Sequence, residues 1–168
     1  RVNNNGIDRD FAALLSGQNI NSNSFSGIAW VDAYCETGSV FGNQTYGSYS
    51  VNRIGSNAGT GWISQFLAHE IGHNLGSTHT HCYTPAIDNC YNGEAGCFDG
   101  TPVCPAGGKG TILSYCHIGG SSGADCGFSD DEFHPTVIDL FNSRLASNSP
   151  SCIAPFGSDL IFEHGFEN

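Results

Sequence analysis

Three histidines and one glutamate stand close together in the sequence, between positions 69 and 79. Residues four apart lie on one face of a helix, with Cβ atoms about 5–6 Å apart, so His69 and His73 can present ring nitrogens to one metal ion. Glu70 then lies beside that ion. His79 supplies a third ligand and leaves a coordination position open, which is typical of a catalytic zinc site. The spacing predicts a zinc-activated water with Glu70 as its general base.

Gly76 lies between the helical part of this motif and its last histidine. Glycine adopts the left-handed conformation without a Cβ penalty, so we expect it to end a helix spanning residues 61–75 and to turn the chain. His79 can then approach the ion from another direction. The alternative interpretation is that His69 and His73 are ordinary surface residues of a helix and His79 lies in an unrelated loop.

The full pattern, with Gly76 and a third histidine, resembles the metzincin clan of zinc endopeptidases. Upstream, residues 26–35 resemble the central strand and the following cysteine of adamalysin/reprolysin-like domains, and the resemblance covers roughly residues 8–152. It implies a mixed α/β (α+β) fold, a zinc cofactor, and hydrolysis of peptide bonds in protein or peptide substrates. A propeptide inhibitor is a further partner of such a protease.

Metzincins carry a methionine turn beneath the zinc, whereas this chain contains no methionine. Residues 110–117 otherwise resemble that turn, with Leu113 in the methionine position. Since a volume-conserving apolar replacement usually costs less than about 1.5 kcal/mol, we expect zinc binding to survive.

Tyr115 follows Leu113 at the spacing at which astacin-like and serralysin-like enzymes place a tyrosine near the metal. The resemblance implies that its phenol binds zinc or donates a hydrogen bond to the tetrahedral intermediate, and the alternative is a tyrosine that only lines the substrate pocket. His117 is expected in the wall of that pocket.

The cysteines form an even set without a Cys-x-x-Cys pair, which predicts four disulfides among 105 connectivities. The resemblance implies a bridge between Cys35 and Cys152, which leaves six cysteines for the loops between residues 82 and 126. A second metal site built from thiolates is the alternative, although the spacing is irregular. The eight cysteines are Cys35, Cys82, Cys90, Cys97, Cys104, Cys116, Cys126 and Cys152.

The formal net charge is −11, from 5 Lys plus Arg and 16 Asp plus Glu. This charge disfavours a nucleic-acid or anionic-membrane partner. No hydrophobic stretch reaches the roughly 20 residues that span a bilayer. Together with the cysteines, these features predict a secreted protein. Carboxylates could also bind calcium, although a solvated acidic surface is the better explanation for them. The calcium candidates are Asp88, Asp99, Asp125, Asp130 and Asp131.

The remaining pattern predicts the elements that position the motif. Residues 7–16 suggest a short helix or loop that docks on a sheet, and residues 24–34 suggest a buried strand. Residues 40–54 suggest an exposed edge strand and loop, and we expect a segment within residues 39–54 to pair with a bound peptide.

Residues 80–130 form a long irregular stretch that disulfides can restrain, and residues 135–146 predict an amphipathic helix. Residues 1–152 are expected to form the catalytic domain and residues 153–168 a tail or linker. Because few residues precede the first expected strand, the N-terminal subdomain is predicted to be reduced or truncated. Two other functions remain open: a metzincin-like binding module without turnover, and a zinc hydrolase that acts on non-protein amides.

Overall fold

The structure, a computed structural model, describes residues 10–17, 26–36, 38–54, 60–127 and 129–148. The described residues form five strands, two helices and a short 3₁₀ turn. In chain order these are β1 (Ala12–Ser16), β2 (Ser26–Ala29), β3 (Ser39–Phe41), β4 (Gln44–Tyr46), β5 (Tyr49–Arg53), α1 (Thr60–Asn74), the 3₁₀ turn Thr80–Cys82, and α2 (Pro135–Asn148). The mixed α/β fold class is therefore confirmed.

The main sheet has the strand order β1-β5-β2, with β5 in the centre. β5 runs parallel to β1 and antiparallel to β2. β3 and β4 form a separate antiparallel hairpin. Helix α1 packs against β5 and β2, so the sheet supports one side of the histidine motif.

The predictions for three strand segments need correction. The described part of residues 7–16 contains β1, which is a strand rather than a helix or loop. In the described part of the segment 24–34, which begins at residue 26, only β2 is a strand, and it borders the described sheet with Ile28 72% exposed. Residues 40–54 contain the central strand β5 in addition to the hairpin.

These errors have physical causes. A segment of about five residues contains too few periods to distinguish a helix from a strand. The buried face of β5 carries Ser50 and Asn52, which are 2% and 0% exposed, so the polar composition of this strand suggested an exposed edge. Strand order depends on pairing between distant segments, which the local pattern does not contain.

The end of α1 follows the prediction for Gly76, which has φ of +101°. The Gly76 amide donates to the His73 carbonyl, and the Ser77 amide donates to the Gly72 carbonyl. These two bonds form a Schellman motif, which satisfies carbonyls that the helix leaves free at its end. The turn sends the chain back beneath the helix toward His79.

The segment between the two helices is irregular, as predicted, and together with α2 it forms the lower part of the molecule. Its core consists of buried Ile112, Leu113, Val137 and Phe141. Val137 and Phe141 belong to α2 and are buried, as its amphipathic pattern predicts, whereas Ile138, which the same pattern places on the apolar face, is 43% exposed. An ion pair of 2.7 Å between Arg144 of α2 and Asp32 after β2 connects the lower part to the sheet.

Six of the cysteines restrain the irregular segment by pairing among themselves, as predicted. The bridges are Cys82–Cys97, Cys90–Cys116 and Cys104–Cys126. These disulfides exclude a thiolate metal site built from the same cysteines. The predicted partner of Cys35, Cys152, lies outside the described residues. Among the described residues, no helix has the length and apolar character to cross a membrane.

Candidate metal centre

The structure brings His69, His73 and His79 together, with one ring nitrogen from each within 4.8 Å of the others. His69 and His73 lie one turn apart on α1, with ring centroids 4.8 Å apart. The His79 ring centroid lies 5.3 Å from that of His69 and 4.8 Å from that of His73. Because the Schellman turn reverses the chain, His79 reaches the two helical imidazoles from the loop that follows.

Hydrogen bonds fix the tautomers of two of these rings. His73 Nδ1 lies 2.7 Å from the carbonyl oxygen of Ser77, and His79 Nδ1 lies 2.7 Å from Oε2 of Glu94. Since a carbonyl and a carboxylate only accept, both Nδ1 atoms carry the proton and both Nε2 atoms keep a free lone pair. That lone pair is the one a metal ion requires.

The surroundings of the three rings favour their neutral forms. Burial lowers the pKa of His69 well below its ordinary value, and the neighbouring His73 and His79 lower it further. Burial also lowers the pKa of His73, and lowers that of His79 to about 4. Three neutral imidazoles at neutral pH form the donor set that fits zinc.

Glu70 is 4% exposed and lies in both cavities that border the histidines. Among the described residues, no group hydrogen-bonds to its Oε2 atom. Burial raises the pKa of Glu70 to about 7, the range in which a carboxylate both accepts and returns a proton at neutral pH.

Leu113 lies beneath the histidine helix, as the resemblance implied. It is 0% exposed, and an ideal Cβ atom at Gly72 would lie 3.0 Å from Leu113 Cδ1. Its φ of +75° places it in the left-handed region, so the backbone makes a sharp turn at this residue. Leucine therefore fills the position directly under the turn of α1 that connects His69 and His73.

Tyr115 stands beside the cluster, with its ring centroid 4.1 Å from that of His79 and 6.1 Å from that of His69. Burial, and to a smaller extent the charges of Glu94 and Glu70, raise the pKa of Tyr115 to about 12. The phenol therefore keeps its proton at neutral pH and is a hydrogen-bond donor.

Two cavities flank the cluster and share Gly27, His69, Glu70 and Tyr115. The first, of about 260 Å³, extends past Leu113 and is also lined by His117, which agrees with the prediction that His117 forms a pocket wall. The second, of about 240 Å³, is bordered by β2 and by His73, His79 and Glu94. The arrangement is a groove along the histidines with β2 on one side.

Sequence reasoning missed Gly27, Glu94 and His81. An ideal Cβ atom at Gly27 would overlap the Glu70 carboxylate, so any larger residue at this position would displace the Glu70 side chain. Glu94 accepts hydrogen bonds from His79 and from His81. The serine-glycine pair at the start of β2 could have indicated a close backbone approach, whereas nothing in the local pattern singles out Glu94 among the residues of a cysteine-rich loop.

Residues 1–123 match the family Reprolysin_5, metallo-peptidase family M12. The chain belongs to this family. The M12 match covers the strands, α1, the three histidines and the loop through Tyr115, and it confirms the reprolysin-like metzincin resemblance. No curated protein matches the sequence. A metallopeptidase requires ligands for a metal ion and a carboxylate beside them, and this M12 domain has three converging imidazoles beside a buried carboxylate.

The calcium candidates do not gather into a comparable site within the described ranges. Asp130 pairs with Lys109 at 3.4 Å, and Asp131 accepts a hydrogen bond from Gln65. Asp88 lies in a group with Cys90 and Cys116, whose sulfurs are joined in a disulfide. Calcium binding stays a prediction.

Proposed function

We propose that this protein is a secreted zinc-dependent endopeptidase that hydrolyses peptide bonds in proteins. One observation carries the proposal: His69, His73 and His79 converge beside the Oε2 atom of Glu70, to which no described group hydrogen-bonds, inside a groove bordered by an outer strand of the described sheet. The M12 family match supports peptidase chemistry on this framework.

In this mechanism the three imidazoles hold the zinc ion, which when bound polarises the scissile carbonyl and lowers the pKa of a water to about 7. Glu70 accepts a proton from the attacking water and then delivers it to the leaving amine nitrogen. The raised pKa of Glu70, about 7, suits a group that serves as base and then as acid.

Tyr115 acts as a hydrogen-bond donor toward the oxyanion that develops on the scissile carbonyl. The support for this role is its position against His79 and its pKa of about 12, which keeps the phenol protonated throughout the neutral range. A donor already in place costs no reorganisation during the reaction, which is how enzymes stabilise such charges.

The substrate main chain binds along β2. Ile28 and Ala29 border the groove, and among the described residues β2 pairs only with β5, so its other edge is available for a peptide strand. Of the segment 39–54, in which a peptide-pairing strand was predicted, β5 occupies the centre of the sheet, and a pairing role for the remainder stays a prediction. Main-chain pairing supplies affinity, and the cavity past Leu113 takes a side chain.

An extracellular location agrees with the three disulfides among the described residues and with the acidic composition. Disulfides persist in oxidising compartments and are rare in the reducing cytosol.

The experiment that tests the proposal is hydrolysis of a quenched-fluorescent peptide library by the zinc-loaded protein, beside a chelator-treated sample and Glu70→Gln. We expect cleavage that is lost in both controls while the circular dichroism of the variant matches that of the wild type. Zinc bound stoichiometrically by folded protein without cleavage of any peptide would overturn the endopeptidase proposal and favour a binding module. Cleavage of small amides but not of peptides would favour the non-protein amidase.

A further inference from the structure

One oxygen of Glu94 accepts hydrogen bonds from two histidines. Its Oε2 atom lies 2.7 Å from Nδ1 of His79 and 3.0 Å from Nε2 of His81. Only the first of these histidines faces the metal centre, and the second is fully buried behind it. Glu94 therefore joins a proposed zinc ligand to a histidine that takes no part in the proposed mechanism.

We propose that Glu94 and His81 are positioning residues that orient His79 and strengthen its bond to zinc. The inference rests on the proposed function, because it requires His79 to be a metal ligand. Neither residue contacts the scissile bond in this proposal, and both act through the imidazole of His79.

His79 needs such support more than His73 does. The His73 ring is held by the helix that carries it and by the main-chain carbonyl of Ser77, which the Schellman turn places 2.7 Å from Nδ1. His79 lies in the loop beyond that turn, where its carbonyl accepts the single 3₁₀ hydrogen bond from the Cys82 amide and no α-helix carries the residue. Its Nδ1 partner is the side chain of Glu94, fifteen residues further along the chain.

A hydrogen bond from His81 restrains the Glu94 carboxylate, which in turn orients the His79 ring. The ring of His81 stacks on that of His79 with centroids 5.4 Å apart and planes 5° apart, and it also contacts the Tyr91 ring edge-on, with centroids 5.2 Å apart. A fully buried ring held in this way has little rotational freedom. Its hydrogen bond to Oε2 restricts a glutamate side chain that is otherwise 39% exposed.

The backbone around the pair is also restrained at both ends. The disulfide Cys82–Cys97 joins the residue after His81 to a residue three positions beyond Glu94. The Phe98 amide donates to the His81 carbonyl over 2.9 Å. The two positioning residues thus belong to one closed loop, which presents the carboxylate to His79 in a fixed place.

A carboxylate at this position has two effects on the ligand. It holds the proton on Nδ1, so that Nε2 is the free nitrogen, and its negative charge makes the imidazole a stronger donor to zinc. Removal of partners of this kind typically lowers metal affinity about 10–100-fold.

The test measures zinc affinity by competition with a chromophoric chelator at pH 7.5 for the wild type, Glu94→Gln, Glu94→Ala, His81→Phe and Glu132→Ala. Glu94→Gln keeps an acceptor but removes the charge, and His81→Phe keeps an aromatic ring but removes the donor. Glu132 is an exposed carboxylate away from both cavities, so Glu132→Ala is the matched control for loss of one negative charge. Cobalt(II) absorption spectra of the same proteins report the ligand geometry directly.

We expect the zinc dissociation constant to rise about 100-fold in Glu94→Ala and about tenfold in Glu94→Gln. For His81→Phe we expect the zinc dissociation constant to rise about two- to tenfold, because the lost hydrogen bond restrains Glu94 and does not involve the ligand His79 itself. The cobalt spectrum should change in both Glu94 variants while their circular dichroism stays that of the wild type. Glu132→Ala should match the wild type in both measurements.

Wild-type zinc affinity and an unchanged cobalt spectrum in folded Glu94→Gln and Glu94→Ala would overturn the inference. An equal loss of affinity in Glu132→Ala would also overturn it, because the effect would then be one of net charge. If the wild type and Glu132→Ala both fail to bind zinc, the proposed function itself fails, and this result is distinct from a failure of the positioning role.

Discussion

The backbone of Gly27 in β2 lies against the carboxylate of Glu70 in α1, so closely that a Cβ atom on Gly27 would overlap the carboxylate. The strand that is proposed to bind substrate therefore lies directly against the proposed general base. A glycine at this position lets the sheet edge approach the reacting groups without displacing them.

Gly27→Ala is expected to lower kcat/KM about 100-fold, because a displacement of about 1 Å in a catalytic group can cost that factor. Zinc affinity should stay within a few-fold of the wild type, since Glu70 is not a proposed ligand. The measurements are peptide hydrolysis and chelator competition. Gly61→Ala is the matched control, because a Cβ atom at Gly61 meets nothing within 4 Å. Full activity in Gly27→Ala would show that Glu70 can move aside without consequence.

Leu113 should tolerate replacement by methionine but not by alanine. Leu113→Met conserves volume and is expected to change the free energy of unfolding by less than about 1.5 kcal/mol. Leu113→Ala leaves a cavity under Gly72 and should cost about 2–5 kcal/mol. Urea denaturation checks both values. A stability loss below 1 kcal/mol in Leu113→Ala would contradict the packing role given to this side chain.

The sequence predicted that the three histidines and Glu70 lie together, because their arrangement is local and is set by one helix and the turn at Gly76. It also predicted the turn around Leu113, which is a continuous segment. It could not predict Glu94 or His81, because their contact with His79 depends on the path of a long loop. The even number of cysteines predicted bridges within that loop, but their pairing is a property of three-dimensional proximity.

The strand assignments show the same limit. Leu14 of β1 and Ile28 of β2 both lie opposite Val51 of β5. These registers place β5 in the centre, although its sequence contains polar residues on the face that α1 covers. Local patterns describe one strand at a time, whereas the position of a strand in a sheet is decided by its neighbours.

Tyr115→Phe is expected to lower kcat about 10–100-fold with little change in KM, since a hydrogen bond to a charged group contributes about 1.5–3 kcal/mol. Zinc affinity should not change, because the proposed role is donation to the developing oxyanion. Steady-state kinetics with one peptide from the library checks this result. Tyr46→Phe serves as the control, because Tyr46 lines neither cavity and its hydroxyl donates to the main-chain carbonyls of Asp32 and Val31. A large loss of zinc affinity in Tyr115→Phe would instead make the phenol a ligand.

Zinc should stabilise the folded protein, because the three histidines converge only in the folded chain. At a free zinc concentration about 1,000 times the dissociation constant, linkage gives a stabilisation of about 4 kcal/mol. For a protein of this length that corresponds to a rise in Tm of roughly 8–16 °C relative to a chelator-treated sample.

Differential scanning calorimetry of the wild type, His73→Ala and His134→Ala measures this zinc-dependent rise in Tm. His134 accepts a hydrogen bond from the Thr136 amide at the start of α2, so its removal should lower Tm in both samples but preserve the zinc-dependent rise. His73→Ala should lose most of that rise, and an undiminished rise in this variant would place the stabilising zinc outside the cluster.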